Sequence, residues 1–177
     1  MKIGLKLYET GYEFNSEERA RIYLTNALEP AKDFSGTFMF AIPALAHEAE
    51  AVNSIKKNNY FTVLIGNPPY SYVSSNTGSW INKLVRDYYK VDGHPLGERN
   101  PKGLLDDYVK FLRLVQYQIE TSGYGIIGFI NNNGFKDNPT FRGMRCSLKE
   151  TFNKIHILDL HGSVKKREFD LEGNVDQ

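Results

Sequence analysis

Phe61-Thr62-Val63-Leu64-Ile65-Gly66-Asn67-Pro68-Pro69-Tyr70 passes from an apolar run into a proline-bound loop. Phe61 to Ile65 holds three aliphatic residues, and Thr62, Val63 and Ile65 are β-branched, which predicts a fully buried strand. Gly66 ends the run. Pro68 and Pro69 lack the amide hydrogen that a continued ladder needs. An Asn, two fixed φ angles and a Tyr are thus expected where a parallel strand opens into a loop. In open α/β sheets, ligands bind at that end of the strand.

On the C-terminal side, Ser71 to Gly78 is a polar loop by composition, and Ser79 is placed to cap a helix carrying Trp80, Ile81, Leu84, Val85 and Tyr88. A long irregular connection follows between Asp92 and Gly103. Asp106 or Asp107 begins the clearest helix, in which Tyr108, Phe111, Leu112, Val115 and Ile119 recur at helical spacing until Ser122-Gly123. Those aromatics read as core packing against a sheet. Tyr124 to Ile130 predicts a second buried strand, ending in the polar Asn131-Asn132-Asn133-Gly134. Pro139 opens a helix with Phe141, Met144, Leu148 and Phe152 on one face. Lys154 to Leu160 predicts a third strand, followed by His161-Gly162-Ser163. Toward the N-terminus, Pro43 to Asn58 predicts a helix and Arg21 to Thr25 a short strand. Ile3, Leu5 and Leu7 alternate, which fits a strand or the end of a helix.

Strands alternating with helices at these spacings indicate right-handed crossovers and a parallel sheet. The fold class expected is therefore α/β, and the polar loops at Asn67–Tyr70, Asn131–Gly134 and His161–Ser163 should share one cleft. The chain of 177 residues suits one domain with a sizeable core, and 41% hydrophobic with 24% charged residues is an ordinary soluble composition. No apolar run reaches membrane-spanning length, and no signal-peptide core is visible. A single cysteine, Cys146, excludes an internal disulfide and a multi-cysteine zinc site, so a cytoplasmic location is the expectation, with no metal. Cys146 reads as an inert helix residue, His47 as a surface residue, His94 as a loop residue and His156 as a satisfied structural side chain.

Net charge is +1, yet Lys136, Arg142, Arg145, Lys149, Lys154, Lys165, Lys166 and Arg167 face only Asp137, Glu150 and Asp159, a local excess of +5. Phosphate contacts need such an excess, although a solvated helix face followed by a charged tail has the same composition. The loop chemistry is more specific. The Asn67 amide oxygen and the Pro68 carbonyl are adjacent acceptors, suited to both hydrogens of an exocyclic NH2 group. The Tyr70 ring can stack on the flat group that bears the amine. Held so, the nitrogen lone pair points outward toward a methyl donor, and positioning supplies most of the gain.

Asn67-Pro68-Pro69-Tyr70 after a hydrophobic strand resembles the catalytic motif of S-adenosylmethionine-dependent amino methyltransferases, chiefly N6-adenine DNA methyltransferases. The flanks are similar to type ISP restriction–modification enzymes: Thr10-Gly11-Tyr12-Glu13-Phe14, Glu18-Arg19 and Ile22 to Glu29 before the motif, Gly143-Met144-Arg145 with Leu148, and Ile157 to Gly162 after it. Those flanks favour DNA adenine over the glutamine- or RNA-directed relatives that share the tetrapeptide.

The resemblance implies a partial Rossmann-like methyltransferase sheet over residues 1–177. Residues 1–60 would be the segment preceding the catalytic motif and 61–177 the catalytic-loop half. It also implies Asn67, Pro68, Pro69 and Tyr70 as catalytic residues and Asn26 near the cofactor adenine. Arg142, Arg145, Lys165, Lys166 and His161 would then contact double-stranded DNA. The family's glycine-rich cofactor strand and its acidic ribose ligand are not seen, so the chain looks like a middle fragment, inactive alone and complemented by a second chain. A non-catalytic DNA-binding or assembly remnant is the alternative. The family's strand order, 3-2-1-4-5-7-6, makes Phe61–Ile65 and Gly125–Ile130 the one directly paired set of neighbours. Arg21–Thr25 is expected to cross over and pair with the edge of Phe61–Ile65 that would otherwise stay bare.

Overall fold

A computed structural model of the chain describes residues 2–15, 21–32, 43–58, 60–71 and 74–160. It divides into two compact units, one of residues 1–26 with 31–57, the other of residues 27–30 with 58–177. The first unit carries α1 (Lys2–Glu9) and α2 (Pro43–Asn58), the latter with the bounds expected from sequence. Of the readings left open for Ile3 to Leu7, the helix is the one adopted. Between the two helices, residues 21–26 form no strand, and Leu24 is fully exposed. The Asn53 side chain fastens α2 to the Lys32 backbone, accepting from its N–H at 3.0 Å and donating to its carbonyl at 2.6 Å.

The second unit carries β1 (Val63–Gly66), α3 (Ser79–Val85), β2 (Lys90–Val91), β3 (His94–Pro95), α4 (Asp107–Ser122), β4 (Ile126–Phe129) and α5 (Arg142–Thr151). β1 and β4 pair in parallel, with Val63 opposite Ile126 and Gly66 opposite Phe129. The crossover between them is α4. Asp106 caps its start, and Gly123, at φ 81°, closes its end in the left-handed conformation that glycine adopts without strain. This is an α/β arrangement of a small parallel sheet with flanking helices.

Leu64, Ile127 and Phe129 pack on a core made of Tyr88, Leu104, Tyr108, Val109, Leu112, Val115, Phe141, Met144 and Leu148. A second cluster joins Leu114 of α4 to Leu28, Ile81 and Val85. α4 is therefore buried on two sides, and its polar residues Lys110, Arg113 and Gln116 are buried with partners. Gly143 lets α5 approach the Arg86–Tyr89 turn, since a Cβ there would stand 2.1 Å from the Tyr88 carbonyl.

Several expectations need correction. The Phe61–Ile65 strand is not fully buried: Val63 is 59% and Ile65 84% exposed, because α4 and its core cover one face only. The Arg21–Thr25 segment forms no strand, so that expectation fails, and among the described residues β1 pairs with β4 alone. Lys154–Leu160 is not a strand either. It has no ladder partner among the described residues and exposes Ile155, Ile157, Leu158 and Leu160, and His156 is exposed rather than a satisfied structural side chain. Gly78, not Ser79, takes the cap position of α3, and the connection expected from Asp92 begins with the turn and second strand of the β2–β3 hairpin.

Candidate active site

The parallel pairing brings the loops after β1 and β4 to one end of the sheet. The ladder begins with Ile126 N donating to Thr62 O at 2.8 Å and ends with Ile130 N donating to Gly66 O at 3.0 Å. Gly66 sits beneath the Phe129 ring, where an added Cβ would meet Cε2 at 2.7 Å. The chain leaves β1 at once into Asn67 to Tyr70, which has no regular structure. Asn67 and Pro69 are exposed, Pro68 is buried, and Tyr70 is half exposed. A buried proline between exposed neighbours pins the backbone while leaving the Asn67 amide to solvent.

The Tyr70 ring meets Tyr108 edge to face, with centroids 6.0 Å apart and planes at 74°. Tyr108 packs in turn against Phe141 at 6.2 Å. Burial pushes the Tyr108 phenol above its ordinary range, and the charge of Asp106 adds to the rise. Past Tyr70, Ser71 N donates to Asp106 Oδ1 at 2.9 Å, and Asp107 N donates to Ser71 O at 3.3 Å. Lys110 Nζ donates to Ser74 Oγ at 2.7 Å and to Asn76 O at 2.5 Å. Asp107 Oδ1 accepts from the Ser74 hydroxyl and from Asn76 Nδ2 at 3.0 Å. Burial lowers the Lys110 pKa, against the opposing pull of Asp107 and Asp106. Sequence reading missed this set, because Asp106 and Asp107 carry the ordinary signature of a helix start.

At the neighbouring strand end, Asn131 Oδ1 is buried without a hydrogen-bond partner. Asn132 accepts from Gly134 N at 2.8 Å and shapes the turn that follows. Arg145 Nη1 donates to Phe135 O at 2.6 Å and Asn138 O at 3.0 Å, which braces this turn against α5. Arg142 donates to Leu96 O and lies 3.6 Å from Glu98, so it ties α5 to the hairpin region. Both arginines expected at phosphate are thus engaged within the fold. Lys136 pairs with Asp159. His161, Lys165 and Lys166 lie outside the described residues. Asn26 belongs to the first unit, exposed, and its carbonyl accepts from Lys56 Nζ at 2.8 Å.

A separate concavity, lined among others by Asp87, Arg113, Glu120, Cys146 and Glu150, is remote from the motif in composition. Cys146 Sγ there lies 3.6 Å from Glu150 Oε1 and 3.9 Å from Asp92 Oδ1. Burial disfavours the Arg113 charge, but its bonds to Asp87 and Glu120, at 2.8 and 3.0 Å, more than offset that.

A parallel strand pair with a covering crossover helix, opening into a proline-fixed loop, places the protein among α/β methyltransferase-like folds. The sequence matches the family described as Eco57I restriction-modification methylase over residues 5–165, and the chain belongs to that family. These are DNA-acting methylases of restriction–modification systems. No curated protein and no solved structure matches the chain. Among the described residues no helix is long and apolar enough to cross a membrane.

Proposed function

We propose that the chain carries the catalytic loop of an adenine-specific DNA methyltransferase of the type ISP kind, transferring a methyl group to N6 of a flipped adenine. The observation that carries this reading is the half-exposed Tyr70 ring, edge-on to Tyr108, beside an exposed Asn67 at the carboxyl end of β1. Flipping the base costs a few kcal/mol of unstacking, which a stacking platform offsets. In this reading Asn67 Oδ1 and the Pro68 carbonyl accept the two N6 hydrogens. The Tyr70 face stacks on the purine, and the nitrogen lone pair is turned out of the ring plane. Arg142, Arg145, Lys165, Lys166 and His161 are the proposed DNA contacts. For Arg142 and Arg145 this requires exchanging an internal carbonyl for phosphate, which makes them the weaker members of the set.

S-adenosylmethionine is the proposed methyl donor. The described residues do not fit it well. Asn26 is exposed in a stretch without regular structure, and one exposed amide is no cradle for a ribose and a base. The reading therefore places the donor's principal ligands on residues other than the described ones or on a second chain. Calorimetric titration of the chain with S-adenosylmethionine is expected to give no measurable heat, and saturable binding would overturn that part. Formation of N6-methyladenine in unmodified DNA, with the complementing chain present, tests the whole reading. Methylation of a protein glutamine or of RNA instead would replace it.

A non-catalytic assembly role is the second reading. The open sheet face of Val63, Ile65 and Ile126 favours it, since such a face is suited to packing against another layer.

A further inference from the structure

We propose that Asp106 is a positioning residue for Tyr70, acting through Ser71, and that Asp107 and Lys110 lock the segment that follows. The proposal deepens the methyltransferase reading and rests on it for its catalytic consequence.

Three consecutive residues of one element grip two consecutive residues of the loop. Asp106 accepts from Ser71 N, Asp107 N donates to Ser71 O, and the Tyr108 ring abuts Tyr70. Asp106 is also the helix cap, but the two bonds are unequal. Its Oδ1 lies 2.9 Å from Ser71 N and 3.4 Å from Tyr108 N. The first distance is the ordinary one for an N–H donor, and the second is beyond the usual range. The carboxylate is thus placed for the loop more than for its own helix. With both backbone groups of Ser71 fixed, the preceding Tyr70 has its main-chain direction set, and Tyr108 limits the ring from one side.

A second clasp lies one turn further along α4. Lys110 is only 2% exposed, and its Nζ donates to Ser74 Oγ and Asn76 O, both in the loop. A buried ammonium is costly unless it is bonded, so withdrawing Ser74 and Asn76 strips Lys110 and Asp107 of the bonds that offset their burial. Loop and helix start therefore move as one body, and the ring that stacks on the base inherits the rigidity of α4.

The test compares Asp106→Asn, which keeps an acceptor at the same reach, with Asp106→Ser, which keeps a helix cap but is too short to reach Ser71. Amide exchange at Ser71 and fluorine NMR of Tyr70 in the 3-fluorotyrosine-labelled chain, assigned by Tyr70→Phe, need neither DNA nor methyl donor. In Asp106→Ser the Ser71 amide is expected to exchange about tenfold faster, as loss of one charge-assisted bond implies. The Tyr70 resonance should move while amides from Leu112 to Gln116 keep their protection. Asp106→Asn, which keeps the acceptor and loses the charge, should fall between the two, with the Tyr70 resonance at its wild-type position. An unmoved Ser71 and Tyr70, or an equal loss of protection along α4, overturns the proposal. In a preparation that methylates DNA, Asp106→Ser is expected to lower kcat with KM for DNA unchanged, and an unchanged kcat despite a displaced Tyr70 also overturns it. If the wild type methylates nothing even with the complementing chain present, the methyltransferase reading fails, and the exchange and fluorine data still decide the clamp.

Discussion

Asn67 is exposed at the end of β1, with Pro68 buried behind it, so its amide is presented to solvent by a backbone that cannot follow it. In the proposed reading, a bond from this amide to the target nitrogen matters most as the amine becomes pyramidal, not as DNA first binds. In a preparation that methylates DNA, Asn67→Ala should therefore cut kcat by about a hundredfold or more, the scale of losing one preorganised polar contact, with little change in DNA affinity. Equal losses in binding and turnover would make Asn67 a binding residue. Tyr70 is expected to work through its ring face. Tyr70→Phe should then stay near wild-type activity and Tyr70→Ala lose about 1–3 kcal/mol of base stacking, read as weaker binding to an oligonucleotide with an extruded adenine. Matching damage from both substitutions would assign the work to the hydroxyl. The position of this loop directly after a strand was legible in the sequence because proline, glycine and an apolar run constrain the backbone locally. Asp106 was half legible: its cap role follows from sequence, whereas its bond to Ser71 spans 35 positions and depends on how the loop folds back.

α4 was the most legible element, since its apolar residues keep helical spacing between a strong cap and a strong stop. Its buried polar residues were not, because satisfaction of a buried group depends on side chains distant in sequence. Gln116 shows this: its Oε1 accepts from the Tyr88 hydroxyl at 2.7 Å, and its Nε2 donates to Ser147 Oγ at 2.9 Å and Thr151 Oγ1 at 2.6 Å. Gln116→Leu should cost about 1–3 kcal/mol, chiefly by stranding the Tyr88 hydroxyl. Adding Tyr88→Phe should recover part of that loss in urea unfolding, and strict additivity would show that the bond is not the coupling. Tyr88 also sets a pH dependence. Burial raises its phenol far above the ordinary value of 10.0, only partly opposed by Arg113. The unfolded chain therefore releases that proton first, and stability is full below about pH 10 and falls above it, by about 1.4 kcal/mol per pH unit for one such group. Tyr88→Phe lacks this component. Unfolding measured from pH 9 to 11 should show the wild type losing stability more steeply than the variant, and parallel slopes would remove Tyr88 as the cause.

For the molecule as a whole, what sequence could not settle was which apolar segments find partners. Phe61–Ile65, Arg21–Thr25 and Lys154–Leu160 all carry strand-forming residues, yet among them only the first contributes to a ladder, because a strand exists through its neighbours and not through its own composition. The β1–β4 sheet consequently has unlike faces. Leu64 and Ile127 pack against the core beneath, whereas Ile65 and Ile126 are 84% and 69% exposed above it. That asymmetry makes a direct energetic prediction for the chain as it stands in solution. Ile127→Ala should destabilise by about 2 kcal/mol, the lower end of the range for removing a packed aliphatic side chain, because Ile127 is only partly buried. Ile65→Thr, which keeps β-branching and loses apolar surface, should stay within about 0.5 kcal/mol, as expected at an uncovered position. It should also lower the binding of a hydrophobic dye in part, since the outer face is one of the apolar surfaces such a dye would contact. Urea unfolding at two protein concentrations measures both effects. Should Ile65→Thr prove as costly as Ile127→Ala, and the more so at the higher concentration, the outer face is covered in the working protein. The covering layer would then come from another molecule, because a cost that grows with protein concentration requires association.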